Sequence, residues 1–251
     1  GMLSKVDRYF VGYFLGPAAI GVYNIVYAAA SLLSGFATPF QKYVATYLPE
    51  MWDKGKIEKV KSQLREGLLY FIILSLGSLA IASVYLKPAI VIILGKDLSG
   101  ISHFELLVFI TGLGILSQGA SEFFYQIIRN REKNHYQLLF QGAGVIVNVV
   151  LNLLLIPSMG LIGAGIATFG SYFTILAMCN HWFSFDLTGT FYSKLARVVV
   201  AGIPIYILYK LYEVHSLIEL LVSLALGALV YGVLVLVFRV ITIDYLKRIF
   251  A

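Results

Sequence analysis

NVVLNLLLIPSMGLIGAGIATF, residues 148–169, sets two asparagines four positions apart in a stretch that is otherwise almost pure hydrocarbon. It breaks at Ile156-Pro157-Ser158-Met159-Gly160 and resumes as a run of glycine and alanine. Apolar helices either side of a Pro/Gly turn read as a helical hairpin, with Asn148 and Asn152 on one face of the first arm. On the second arm, Gly160, Ala164 and Thr168 form one line of small residues, and Gly163, Ala167 and Ser171 a second. Small side chains at i, i+4 let helices approach closely, so this arm is expected to be central in its bundle.

The rest of the chain extends the pattern. Of 251 residues, 59% are hydrophobic and 13% charged, with a mean hydropathy of +0.86. That balance excludes a soluble surface and marks an all-α polytopic membrane protein. Apolar runs long enough to cross a bilayer fall at 18–40, 67–86, 105–128, 138–156, 161–178, 196–211 and 218–238. Residues 2–16 are apolar in places but too short to cross about 30 Å of hydrocarbon. They read as the end of a helix whose start is missing, and the chain as a fragment of something longer. Cys179 is the only cysteine, which excludes an intrachain disulfide framework and a Cys-clustered metal site.

The net charge of +6 reports topology. Loops after alternate spans hold Lys54, Lys56, Lys59, Lys61, Arg65, Arg129, Arg131, Lys133, Lys194, Arg197, Arg239, Lys247 and Arg248. The opposite loops hold only Lys87, Lys96 and Lys210. By the positive-inside rule the first side is cytoplasmic, which puts the C-terminus inside and the Pro157 turn outside. No nucleic-acid partner is expected. WDKGKIEKVKSQLRE, residues 52–66, places Ile57, Val60 and Leu64 at helical spacing among lysines. It reads either as a short helix in the headgroup layer, in contact with membrane lipids, or as an ordinary basic loop. Lys87-Pro88 is expected to end its span, leaving 89–94 as an interfacial segment before an outside loop at 95–102. A faint echo links LGPAAIGVYNIVYAAASLL (15–33) with MGLIGAGIATFGSYFTIL (159–176).

No GxxxxGK[ST], HExxH or GxSxG motif occurs, and His103, His135, His181 and His215 are dispersed. No catalytic residue, metal or cofactor is expected, and the protein does not read as an enzyme. The informative residues are polar ones at membrane depth, which are costly there. Gln118, Glu122, Gln126 and Arg129 step along one helical face, joined by Tyr125. Glu122 falls about 8 Å past its helix midpoint, still within the hydrocarbon. The stripe should line a hydrated pathway, or clasp a neighbouring helix with Glu122 protonated or paired to Arg8 or Arg129. Gln141, Asn148 and Asn152 form a second line, suited to interhelical bonding or to substrate contact. Asp7 and Arg8 could bind a cation and a pyrophosphate respectively, or neutralise one another.

Val6-Asp7-Arg8-Tyr9-Phe10-Val11-Gly12, followed by Leu15-Gly16 and Ile20-Gly21-Val22-Tyr23-Asn24, resembles the entry to the second lobe of polysaccharide flippases of the MOP superfamily, which also contains MATE exporters and lipid II flippases. Pro49-Glu50, Ile93-Leu94-Gly95-Lys96 and above all residues 148–168 extend the resemblance over 5–180. It implies two pseudo-symmetric six-helix lobes around a cavity of alternating access. This chain would be the second lobe, its first helix truncated (1–182), plus an additional two-helix segment (183–251). The missing first lobe, or a second copy, would supply the other wall. The implied function is flipping of a polyprenyl-pyrophosphate-linked oligosaccharide across the plasma membrane for surface polysaccharide or glycoprotein assembly. Gln118, Glu122, Gln126, Arg129, Arg8 and Asn152 would line the cavity, with Tyr125 and Asp7 beside them. The alternatives are a MATE-type cation-coupled drug exporter, and a non-transporting membrane scaffold or inactive fragment.

Overall fold

The computed structural model describes residues 2–36, 38, 42, 46, 50–52, 54–95, 98, 101, 103–183, 189–212 and 214–240. They form helices α1 (Met2–Leu15), α2 (Pro17–Gly35), α3 (Ile57–Leu94), α4 (Phe104–Asn130), α5 (Asn134–Met159), α6 (Leu161–Phe183), α7 (Gly189–Leu211) and α8 (Leu217–Val237). Seven of these, α2 to α8, are long and apolar enough to cross a membrane. The chain is an all-α polytopic membrane protein, because only a helix satisfies its own backbone within each lipid-exposed segment.

Two proline expectations change. Pro157 lies inside the last turn of α5, and the helix ends only at Gly160, whose φ of 59° demands glycine. Gly160 N donates to Ile156 O at 2.9 Å, and Ser158 Oγ reaches the Leu154 and Leu155 carbonyls at 3.4 and 3.3 Å. These bonds hold the last turn together despite the missing proline donor. Pro88 likewise lies inside α3, which continues through 89–94, so that segment is no separate interfacial piece. Membrane helices tolerate an internal proline where neighbours re-satisfy the freed carbonyl.

At its other end α3 absorbs the lysine-rich stretch. Its 38 residues span about 57 Å at 1.5 Å per residue, well beyond about 30 Å of hydrocarbon. Val60 and Leu64 are fully buried in protein while Lys56, Glu58 and Lys59 are exposed. Two of the three apolar residues of this stretch are therefore covered by protein, Ile57 staying exposed. The stretch is the start of the long α3, not a separate short helix. The expected outside loop at 95–102 and Pro49 lie largely or wholly outside the described residues, as do Lys96, Lys247 and Arg248.

By packing, the chain divides into two units, Gly1–Ser75 with Leu106–Asp186, and Leu76–Glu105 with Leu187–Ala251. In the first, α5 and α6 form the most extensive helix pair, and α1 packs on α2, α5 and α6. The hairpin arms meet backbone to backbone, since a Cβ on Gly163 would lie 2.4 Å from Leu155 O. On its other side α6 presses on α4, where a Cβ on Gly114 would meet the Phe169 backbone at 3.1 Å. Ala164, Ala167, Thr168 and Ser171 are all fully buried, so both small-residue lines are packing lines. In the second unit α7 and α8 pair. Ser216 and Glu219 close a capping box at the start of α8, and the Tyr231 ring fills the space that Gly77 leaves open. Leu221, Leu226, Leu229 and Val233 stay uncovered by protein, as a lipid-facing surface requires.

Gly163→Ala is expected to destabilise the protein by about 1–3 kcal/mol through overpacking against rigid backbone. Gly21→Ala, where no atom lies within 4 Å of the new Cβ, should be neutral or slightly stabilising. Thermal unfolding of both variants in detergent checks the contrast.

Candidate functional site

The first unit is tied at one buried carboxylate. Asp7 on α1 has no exposed surface. Its Oδ1 accepts hydrogen bonds from Asn148 Nδ2 at 2.7 Å and Asn152 Nδ2 at 2.9 Å, both on α5. Its Oδ2 accepts from Thr168 Oγ1 on α6 at 2.8 Å and Tyr23 Oη on α2 at 3.1 Å. Four helices thus converge on one side chain. The supporting bonds are also local: Asn152 Nδ2 donates to Asn148 Oδ1 at 3.0 Å, and Thr168 Oγ1 reaches Ala164 O at 3.0 Å. The sequence dictates the convergence through i, i+4 spacing of Asn148 with Asn152 on one face of α5, and Ala164 with Thr168 on one face of α6.

Counting protons around Oδ2 constrains the chemistry. Four oxygen–oxygen contacts meet there: Asp7 to Tyr23, Asp7 to Thr168, Tyr23 to Thr168 at 2.6 Å, and Thr168 to Ala164 O. The two hydroxyl groups supply one proton each, enough for two contacts. A proton on Asp7 Oδ2 fills a third, with Oδ2 then donating to Thr168 Oγ1 and Thr168 Oγ1 donating to Ala164 O. Among the described residues Asp7 makes no ion pair, and an unpaired buried charge is expensive.

Arg8, the neighbour of Asp7, does not neutralise it. Adjacent helical positions point about 100° apart, and the Arg8 guanidinium lies over the Tyr27 ring, 5.7 Å from its centroid. Arg8 Nε is buried without a hydrogen-bond partner. One turn along α2 and α6 from the Tyr23–Thr168 contact, Tyr27 Oη meets Tyr172 Oη at 3.2 Å. Both contacts advance by four residues on both helices, so α2 and α6 run parallel, each entered through a glycine of positive φ, Gly16 and Gly160.

Tyr172 also forms the wall of a cavity of about 350 Å³. Its polar lining comes from Gln118, Ser121, Glu122 and Tyr125 of α4 and Gln141 of α5. Tyr125 Oη is buried without a hydrogen-bond partner. The predicted stripe is therefore divided. Gln118, Glu122 and Tyr125 reach the cavity. Arg129 lies beyond its lining, with Nη2 3.4 Å from Glu122 Oε2 and Nη1 3.5 Å from Gln137 Oε1. Gln126 is half-buried and does not line the cavity. The second predicted line is divided as well, since Gln141 faces the cavity while Asn148 and Asn152 serve Asp7. Tyr23, Tyr27, Thr168 and Tyr172 were not singled out as site residues from sequence; their signal was a pair of hydroxyl side chains at i, i+4 on each of two helices. No group of three or more His, Cys, Asp or Glu side chains placed to hold a metal ion occurs among the described residues.

The first unit is thus an all-helical bundle with a buried carboxyl cluster and a polar cavity beside it. Residues 2–154 match the MatE family. That is more than half of the chain, and the protein belongs to this family, as its resemblance to the MOP superfamily implied. It is 26% identical over 242 residues to an uncharacterized membrane protein of Methanocaldococcus jannaschii, covering 94% of this chain and 46% of that one. It is 21% identical over 242 residues to the probable low-salt glycan biosynthesis flippase Agl15 of Haloferax volcanii, covering 94% and 50%. Among solved structures it shares its fold with the lipid II flippase MurJ in an inward closed conformation, at a TM-score of 0.75 and 13% identity over 94% of this chain and 51% of that one. The chain spans about half the length of the curated relatives it matches.

Asn148→Ala and Asn152→Ala are each expected to lower unfolding free energy by about 1–3 kcal/mol, by stripping donors from a buried carboxyl. Because both serve Asp7 Oδ1 and bond one another, the double variant should lose less than the sum of the two. A double-mutant cycle by denaturant unfolding in detergent measures that shortfall.

Proposed function

We propose that this chain is the second lobe of a flippase that moves a polyprenyl-pyrophosphate-linked oligosaccharide from the cytoplasmic to the outer leaflet of the plasma membrane, with its C-terminus inside. The observation that carries this reading is the cavity of Gln118, Glu122, Tyr125 and Gln141 in a chain of the MatE family. At about 350 Å³ it is small among ligand pockets, which run to roughly 1,000 Å³. It suits one wall of a larger cavity completed by another lobe of the same protein or by a second copy. The unpartnered Tyr125 hydroxyl and the amides of Gln118 and Gln141 offer hydrogen bonds to sugar hydroxyls. Arg8, with an unsatisfied donor, and Arg129, at the basic end, offer charge-assisted bonds to pyrophosphate. On α1, Tyr9 and Tyr13 stand 80% and 83% exposed opposite the Asp7 face, a surface fit to meet the remaining lobe.

Driving such a carrier requires something whose occupancy biases one conformation over the other. We assign this to Asp7, which holds a proton at Oδ2 while Oδ1 accepts the two asparagine donors. Gain or loss of that proton changes how tightly α1 is tied to α2, α5 and α6. Glu122→Ala and Arg129→Ala, each introduced into the intact cellular protein, should lower surface-glycan export at least about tenfold, the effect of some 1.4 kcal/mol. Undiminished export with both variants contradicts the site. Drug resistance conferred by expression, with normal glycan on deletion, favours an exporter instead.

A further inference from the structure

Away from the polar cavity, α5 and α6 form a second recess of about 490 Å³, with Phe140 of α5 and Phe173, Ala177, Met178, His181 and Trp182 of α6 in its lining. Its one hydroxyl, Thr174 Oγ1, donates to Gly170 O at 2.8 Å, so apart from His181 the lining is apolar. Counting 100° per residue, the α6 residues of this recess and those of the polar cavity, Tyr172 and Ile175, are centred roughly 140° apart. A molecule in the recess is therefore not in the cavity. Phe173 is 52% exposed on a membrane-spanning helix, so the recess opens towards lipid.

The helix fixes its depth. From Phe173 to Trp182, α6 rises about 14 Å, close to half of about 30 Å of hydrocarbon, and Phe173 stands about 20 Å from the Gly160 turn. The recess thus lies within one leaflet, at the end of the hairpin away from that turn. Rings frame it there. Tyr136 lies 5.3 Å from Trp182 and 6.0 Å from Phe140, and His135 lies 4.4 Å from Tyr136. Tryptophan and tyrosine favour the level of the lipid headgroups. Beside the rings stand hydrogen-bond donors: His181 in the lining, and Lys133 and His135 at the start of α5, all exposed. Arg131 rests its guanidinium on the Trp52 ring, 4.4 Å from the centroid. Among the described residues neither Lys133 nor Arg131 makes an ion pair, and Glu132 is the one acid between them.

We propose that this groove holds one chain of a resident membrane lipid with an anionic phosphate headgroup, the chain lying along Phe173 and Ala177 and the headgroup bonded by His181 and Lys133. The length of the groove suits a chain from a single leaflet. Its donors select the charge, since a zwitterionic headgroup would bring its own cation against Lys133. The lipid covers the hairpin on the side away from the cavity, and the inference holds whatever the cargo.

Fluorescence quenching by brominated lipid tests this, read on the component of tryptophan emission that Trp182→Phe removes. With the protein in phospholipid vesicles, brominated phosphatidylglycerol should bind at Trp182 about fivefold more tightly than brominated phosphatidylcholine, the effect of one basic group at an anionic surface. The Lys133→Gln/His181→Gln double variant should bring that ratio to one, and Ala177→Phe, which fills the groove, should weaken quenching by both lipids. Ile146→Trp in the Trp182→Phe background places a reporter on an α5 residue that is 66% exposed and outside the groove, and should show no preference. Equal quenching by the two lipids at Trp182, or the same preference at position 146, overturns the proposal in favour of ordinary lipid contact. A preference that survives the double variant overturns the headgroup site. Displacement by trace polyprenyl phosphate overturns the proposal in favour of a carrier-lipid tail.

Discussion

The structure turns on the burial of one carboxyl group. Placing Asp7 out of reach of solvent is unfavourable unless its oxygens are fully engaged, and among the described residues no basic side chain engages them. Two amides and two hydroxyls do so, drawn from α2, α5 and α6. Because three of these donors are short side chains, α5 and α6 must bring their backbones close to α1. Close packing among the same helices accompanies that approach: Gly163 of α6 admits the α5 backbone, and Gly114 of α4 admits that of α6. Packing and polar satisfaction are thus two sides of one constraint. Neither would hold without the other, since loosely packed helices could not present four donors within 3.1 Å of one carboxyl.

The same constraint links the tie to function. A group that joins four helices is a place where a change of protonation would be felt by all four. The cavity of Gln118, Glu122 and Tyr125 is walled in part by Tyr172 of α6, the helix whose Thr168 bonds Asp7. In a carrier of the proposed kind, that shared helix is where occupancy of the cavity and protonation of Asp7 would be felt together. The Glu122–Arg129 pair is partly exposed on both sides, in contrast to the fully buried Asp7 cluster.

Much of this fold was legible in the sequence. Seven apolar runs became seven spans, and the 148–169 hairpin with its two small-residue lines has the packing read from it. The errors cluster at prolines. Pro88 and Pro157 were taken as stops, which suits water-exposed helices, yet within apolar stretches the backbone has no better option than to stay helical. Residues 52–66 were read as either a short helix in the headgroup layer or a basic loop, because a sequence does not reveal that Val60 and Leu64 are covered by protein. In the site, the polar stripe on α4 was found by helical spacing, but where it ended was not: Arg129 turns to Glu122 and Gln137, and Gln126 stays outside the lining. Of the two readings of Asp7 and Arg8, mutual neutralisation fails because neighbours on a helix diverge. The true partners of Asp7 lie 16, 141, 145 and 161 residues away, and only the echo between 15–33 and 159–176 hinted that α2 and α6 stand side by side.

The central claim is that Asp7 is a neutral, proton-holding tie between helices, and its carboxyl carbon reports this directly. Solid-state carbon-13 NMR of the protein labelled at aspartate, in lipid bilayers at neutral pH, separates acid from carboxylate by chemical shift, and Asp7→Asn assigns the resonance. The account predicts one buried aspartic acid resonance at the protonated position that disappears in the variant. An Asp7 resonance at the carboxylate position under those conditions would contradict it.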